Sequence, residues 1–266
     1  MRGGAQAHLV EAADGCFYVL KARNNPQHAR ILVNEWVCSV FLRFLQLNTP
    51  EAVILEVDAD FQQATPALAL HLGTKNVPVE TGWHFGSRYP GDPDRVAVFD
   101  FLPDALLPNV GNHRELLGMY VFDQWVANGD SRQAIFYRAQ LRLPRTDETP
   151  APARAGFVAS FIDHGFAFQG PRWEFRDAPL QGVYHRRQVY HRVKGWDDFE
   201  PWLSRIEHFP PEVIDEALRQ VPLEWSRDDR TLLEATLDHL LRRRGQVRRL
   251  VEAARGAGVN LFPNWS

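Results

Sequence analysis

Lys21, Glu35, Asp130 and Asp163 follow one another along the chain, behind a pair of glycines, Gly3 and Gly4. Lys21 ends the β-prone run YVLK. Glu35 comes 14 residues later in a helical run, Asp130 sits in the polar string NGDSRQ, and Asp163 ends an apolar run ahead of His164 and Gly165. Phosphoryl transfer from ATP uses parts of these kinds. Backbone N–H groups beside glycines approach phosphate oxygens with no Cβ in the way. A lysine neutralises the α- and β-phosphates, and a glutamate on a helix holds that lysine. One aspartate accepts the proton of the attacking hydroxyl, and another binds the Mg²⁺ that bridges the phosphates. Position and charge do the work, so residue types matter more than identity elsewhere.

Each residue also has an ordinary reading. Lys21 could be a surface lysine at a strand end and Glu35 a solvated helix residue. Asn-Gly-Asp-Ser is a strong turn string, and Asp163 could close a strand in the same way. Gly3 and Gly4 could belong to a loose terminus. Glu35, however, adjoins Trp36 in a mostly apolar stripe, where a lone charge requires a partner. A Lys21–Glu35 pair is the expectation.

The elements that must carry these residues can be read from periodicity. AHLVEA and the run from Asp14 to Arg23 read as two strands about a turn at Ala13–Gly15. Ile31, Val33, Trp36, Val37, Val40, Phe41 and Phe44 recur with a period near 3.6, predicting a helix that ends near Leu47–Asn48. EAVILEV follows as a strand. Residues 72–94 are broken by glycine and proline and read as a long loop, in which Trp83, His84 and Phe85 read as surface packing, with a substrate lip as the alternative. Residues 95–102 read as a strand and 113–128 as a helix. AIFYRAQLRL and GFVASFIDHGFAF form a hairpin with its tip at 144–155. Residues 169–195 are irregular, and helices follow from Trp196. One of these starts near Ser226, where Asp229 would complete a capping box, and breaks at Gly245. Arg242, Arg243, Arg244, Arg248 and Arg249 read as a solvated helix face, with a docking surface for an acidic partner as the minor alternative.

Composition narrows the field. The chain has 266 residues, 45% hydrophobic and 24% charged, enough for a sizeable core. A net charge of -3 lacks the basic footprint of a nucleic-acid binder. No run is long and apolar enough to span a bilayer, and the N-terminus lacks the apolar core of a signal peptide. A cytoplasmic protein is expected, with no nucleic-acid or membrane partner. Cys16 and Cys38 have no motif spacing and read as small core residues. Of the 30 basic Lys and Arg residues only Lys21, Lys75 and Lys194 are lysine, a bias expected of a GC-rich genome that draws attention to Lys21.

The ordered set GGAQAHLV, YVLK, LVNEW, VFDQWVANGDSRQAIF and FIDHGFAF resembles the HipA-like kinase-domain proteins of bacteria, from residue 3 to about 255. The resemblance implies an α+β, protein-kinase-like two-lobed fold: a small β-rich N-terminal lobe over residues 1–102 and a larger, mainly helical lobe over 103–266. It implies a kinase that moves the γ-phosphate of ATP, with Mg²⁺, to a hydroxyl acceptor, with Ser or Thr of a protein as the family expectation and a small molecule as the other option. Lys21 then corresponds to the phosphate-binding lysine, Glu35 to its helix partner, Asp130 to the base and Asp163 to the metal-binding aspartate. Gly3 and Gly4 would approach the phosphates. Phe99 to Leu102 would be the connector between lobes, with Phe101 and Leu102 receiving adenine on their backbone. The chain departs from the D-x-x-x-x-N pattern of kinases, because Ile135 stands five residues after Asp130. Gln133 or Asn128 would have to supply the missing amide oxygen to the metal. Otherwise the protein is a pseudokinase or nucleotide-binding interaction module. Nucleotidyl transfer on the same fold is a weaker alternative.

Overall fold

In the computed structural model, residues 4–141 and 154–265 are described. Gly3 and most of the expected hairpin tip, 144–153, lie outside them. The first hairpin forms as expected: β1 (His8–Glu11) pairs antiparallel with β2 (Phe17–Lys21), Leu9 opposite Val19. Then come α1 (Arg30–Leu45), which ends in a left-handed Gln46, and β3 (Ala52–Val57). A short helix, α2 (Ala59–Ala64), and a hairpin of β4 (Ala69–Leu72) and β5 (Lys75–Pro78) follow.

The expected loop at 72–94 is largely strand. Besides β5 it contains β6 (Gly82–Arg88), which pairs with both β2 and β3 and so lies inside the four-stranded sheet β1-β2-β6-β3. Its glycines misled the reading for a physical reason. At Gly86 a Cβ would lie 2.6 Å from Leu55, so the glycine marks close packing within a strand and not a break. His84, expected in a surface loop, is buried. Its Nδ1 accepts from the Arg23 N–H and its Nε2 meets the Glu80 carbonyl.

Alternation gives this sheet two faces. Leu20, Ala22, Val57, Leu68, Leu70 and Val79 form a small core beneath the β4–β5 hairpin. Lys21 and its cross-strand partner Phe85 point the other way, where Phe85 joins the main core with Ile31, Val37 and Phe41 of α1.

The second sheet runs β7 (Val98–Phe99), β8 (Gln133–Leu141), β9 (Arg154–Ile162), with Gln133 opposite Ile162. The strand expected over 95–102 shortens to two residues, and Phe99 is already paired with Phe136. The chain therefore passes from the first sheet to the second over residues 89–97, ahead of the expected connector at Phe99–Leu102. The helix α3 (Glu115–Trp125) precedes β8.

Short 3₁₀ turns at Ala167–Arg172, Arg187–Arg192 and Trp196–Phe199 occupy the irregular region. Beyond them lie α4 (Trp202–Glu207), α5 (Pro211–Gln220), α6 (Leu223–Ser226), α7 (Arg230–Arg243) and α8 (Val247–Arg255), with a 3₁₀ turn at the expected break around Gly245. The expected capping box does not form, because the Asp229 carboxylate is taken by Arg30 through Nε at 2.8 Å and Nη2 at 2.5 Å. The arginine run is largely the solvated face expected, with Arg242, Arg248 and Arg249 exposed, but Arg243 departs from it. Arg243 is buried and donates to the carbonyls of Gln124 and Trp125, and Arg248 pairs with Glu207. Trp125 ties the helical part to α1: its ring centroid lies 5.6 Å from Phe41 and 4.7 Å from Phe209. Cys38 is buried as expected, whereas Cys16 is only half-buried. Among the described residues no helix is long and apolar enough to cross a membrane.

Candidate functional site

Lys21 closes β2 on the face turned to α1, and Glu35 stands on the second turn of that helix. The Lys21 ammonium donates to Glu35 and, at 2.9 Å, to Asp163 Oδ1, just past the end of β9. The Gly165 N–H donates to the same Glu35 oxygen at 3.0 Å. Three separate elements thus meet on one ammonium. The side chains of Lys21 and Glu35 are 11% and 3% exposed, against 35% for Asp163, so the trio opens only on its Asp163 side.

Burial alone would lower the Lys21 pKa, but the charges of Glu35 and Asp163 outweigh it and hold the ammonium above its ordinary value. Burial also acts to raise Asp163, yet Lys21, with help from Arg132 and Gln133, brings it below the usual carboxylate range. Glu35 is pushed up by burial, against the pull of Lys21. One cation faces two carboxyl groups, which leaves negative charge where the cluster is open.

Gln133 begins β8 and donates through Nε2 to Asp163 Oδ2 at 2.8 Å. Asn128, the other amide considered, is buried and donates to Asp123 at 3.0 Å. Of the two, Gln133 is the one beside Asp163. Mg²⁺ takes hard oxygen donors, keeps several waters, and uses one or two carboxylates together with phosphate oxygens. The Asp163 carboxylate fits that demand, and the Gln133 amide would fit it once turned over to present its oxygen; neither side chain is closed off by burial.

Asp130 is exposed. Its N–H donates to Asn128 Oδ1 at 3.2 Å, its carboxylate accepts from the Ser131 N–H at 2.7 Å, and its carbonyl accepts from the Gly182 N–H at 3.1 Å. The turn reading and an open carboxylate therefore coexist. Gly4 packs on Gln27: a Cβ there would collide with the Gln27 amide. Phe101 is exposed beneath the Arg186 guanidinium, 4.4 Å from its ring centroid, and the buried Leu102 gives its carbonyl to Arg186 at 3.1 Å.

Two buried polar groups escaped the sequence reading. Asn34 on α1 turns its amide N toward the carbonyls of Gly165, Ala167 and Gly170 at 2.7–3.1 Å, and its oxygen accepts from Trp173 Nε1 at 2.7 Å. Arg132 grips both oxygens of Asp123 on α3 and donates through Nη1 to the Ile162 carbonyl at 2.8 Å and to His164 Nδ1 at 3.0 Å. Burial, reinforced by the charges of Arg132 and Lys21, drives the His164 pKa well below its ordinary value, so the ring is neutral and carries its proton on Nε2, facing the Phe161 carbonyl. Faint signals for this group exist in the sequence. Asp123 is a lone carboxylate in the apolar run GMYVFDQWV. Arg132 continues the even-numbered series with Ala134 and Phe136, both buried.

A cavity of about 720 Å³ opens beside residues 89–97, lined in part by Phe17, Thr49, Arg88, Tyr89, Tyr137 and Ser160. Tyr137 shares the Gln133 face of β8, but the cavity lining stops short of Lys21 and Asp163. Cavity and charge cluster are neighbours on one hairpin face.

The family model for HipA-like kinases matches residues 1–252. No curated protein matches the chain. That span takes in α1, all three sheets and every residue of the charged cluster, and the chain accordingly belongs to the HipA-like kinase family.

Proposed function

We propose that the protein is an ATP-dependent phosphotransferase with a protein-kinase-like, two-lobed arrangement. The smaller lobe ends at β6 and the larger begins at β7, with the division at residues 89–97 and not after residue 102. The observation that carries this reading is the meeting of Lys21, Glu35 and Asp163 from three elements, with Glu35 holding a lysine that also reaches the aspartate.

In this reading Lys21 binds the α- and β-phosphates, and Glu35 keeps it in place. Asp163, with the Gln133 amide oxygen, holds Mg²⁺, which when bound neutralises charge developing on the phosphates. Asp130, with its exposed carboxylate, orients and deprotonates the acceptor hydroxyl. The adenine lies along residues 89–97, toward the cavity between Tyr89 and Tyr137. Phe101 and Leu102 support this wall from behind through Arg186 and do not receive the base themselves. Gly4 shapes the entry to α1 through Gln27. The acceptor is a hydroxyl, with Ser or Thr of a protein as the family-level class.

A second reading, nucleotide binding without transfer, is favoured by Ile135 at the position where kinases carry a metal-binding asparagine. Calorimetry with Mg²⁺-ATP on the wild type, Lys21→Ala and Asp163→Asn tests the site. Binding by the wild type and its loss in both variants is the expected result, and no binding with or without Mg²⁺ would overturn it. Phosphate transfer that is abolished in Asp130→Ala separates the kinase from the binding-only protein.

A further inference from the structure

Asp130 and Asp163 come from different segments, and their tasks require a fixed separation. We propose that Arg132 is a positioning residue that locks the Asp130 loop and Asp163 into one frame, and that the Mg²⁺-dependent part of nucleotide binding depends on it. The proposal rests on the phosphotransferase reading.

Arg132 lies two residues after Asp130 and one before Gln133. Its guanidinium, 2% exposed, donates to the Ile162 carbonyl and to His164 Nδ1, the residues immediately before and after Asp163. Asp163 itself sits in the left-handed region at φ +63°, unfavourable for a residue with a Cβ. Bonds to both neighbours hold it there. The opposite end of the guanidinium is anchored on Asp123, whose carboxylate also accepts from Asn128.

Asp123 is tied to Asp130 by a second route. Gly182, at φ +64°, is packed so closely that a Cβ would clash with Asp123, and its N–H holds the Asp130 carbonyl. A continuous chain therefore runs from Asp130 through Gly182, Asp123 and Arg132 to both neighbours of Asp163. A salt bridge serving stability alone has no need of the two residues that flank a metal-binding carboxylate. The planar fork is what serves acceptors in several directions at once; a lysine cannot reproduce it.

The test is Arg132→Lys in the full chain, with ATP affinity measured by calorimetry in Mg²⁺ and in EDTA, alongside urea unfolding. The expected result is a folded variant whose affinity in EDTA stays within about twofold of wild type while the gain from Mg²⁺ falls at least about tenfold. A folded Arg132→Lys that keeps the full Mg²⁺ gain overturns the proposal. Should that variant not fold, Asp123→Asn, which retains shape and one acceptor oxygen, carries the same measurement, with at least a threefold loss of the Mg²⁺ gain expected and an unchanged gain overturning the proposal. A wild type that binds no nucleotide at all removes the phosphotransferase reading itself. A wild type that binds ATP equally with and without Mg²⁺ removes only the role given to Arg132.

Discussion

Gln133 donates to Asp163 Oδ2 from the first residue of β8, across the antiparallel pair that sets Gln133 opposite Ile162. Turning the amide over would bring its oxygen to the same place. Gln133→Leu is expected to weaken Mg²⁺ binding in the nucleotide complex about tenfold. Gln133→Glu, which adds a carboxylate, is expected to strengthen it. A Mg²⁺ titration at saturating ATP reads both, and two variants indistinguishable from wild type would remove Gln133 from the metal site.

Removing Lys21 leaves two carboxyl groups facing each other, one of them almost wholly buried. Lys21→Met is expected to cost about 3 kcal/mol of folding stability, the usual penalty for stranding one partner of a buried pair. Adding Glu35→Leu should restore a good part of it. Urea unfolding of the single and double variants checks this, and a double variant less stable than Lys21→Met would contradict it.

Stability should fall on mild acidification. In the unfolded chain His164 takes up a proton as pH drops through about 6.5, while in the folded protein it stays neutral. The unfolded state then holds more protons, and stability is lost below pH 6.5 at about 1.4 kcal/mol per pH unit for each such histidine. His84, held low by burial, acts in the same sense. Unfolding between pH 7.5 and 5.5 should show this slope, and His164→Asn should make it shallower. Parallel slopes for the two proteins would count against it.

Asn34→Leu strips the partner from three carbonyls and from the Trp173 indole N–H. A loss of about 2–3 kcal/mol is expected, the cost of unsatisfied buried polar groups. Hydrogen exchange should quicken at residues 165–173, where the hydrogen-bond partners of Asn34 lie, more than in the β4–β5 hairpin. Uniform quickening would mean that Asn34 serves the whole fold and not this segment.

Much of this architecture was legible in the sequence because its signals are local. The first hairpin, α1, β3, α3 and the β8–β9 pair follow from periodicity and turn residues, and the Lys21–Glu35 pair followed from a charge placed in an apolar stripe. What escaped depends on contacts between distant residues. β6 looked like a loop because Gly82 and Gly86 serve packing against Leu55 and the strand's entry, which no window of sequence displays. Asp229 looked like a cap because its partner, Arg30, lies 199 residues away. Asn34 and Arg132 were passed over because an amide on a helix and an arginine in a turn are ordinary until their acceptors are known. The strand over 95–102 was read too long because RVAVFDFL is β-prone throughout, while only Val98 and Phe99 find a partner strand.

Arg30, Asn34 and Glu35 occupy one stretch of α1 and hold, in turn, the Pro171 carbonyl, the carbonyls of Gly165, Ala167 and Gly170, and the Gly165 N–H. The helix and the segment after Asp163 are thereby geared together. A swing of α1 that drew Glu35 away from Lys21 would pull on the segment after Asp163 as well, so the two sides of the charged cluster engage or disengage as a unit. A regulator pressing on either one would be felt at both.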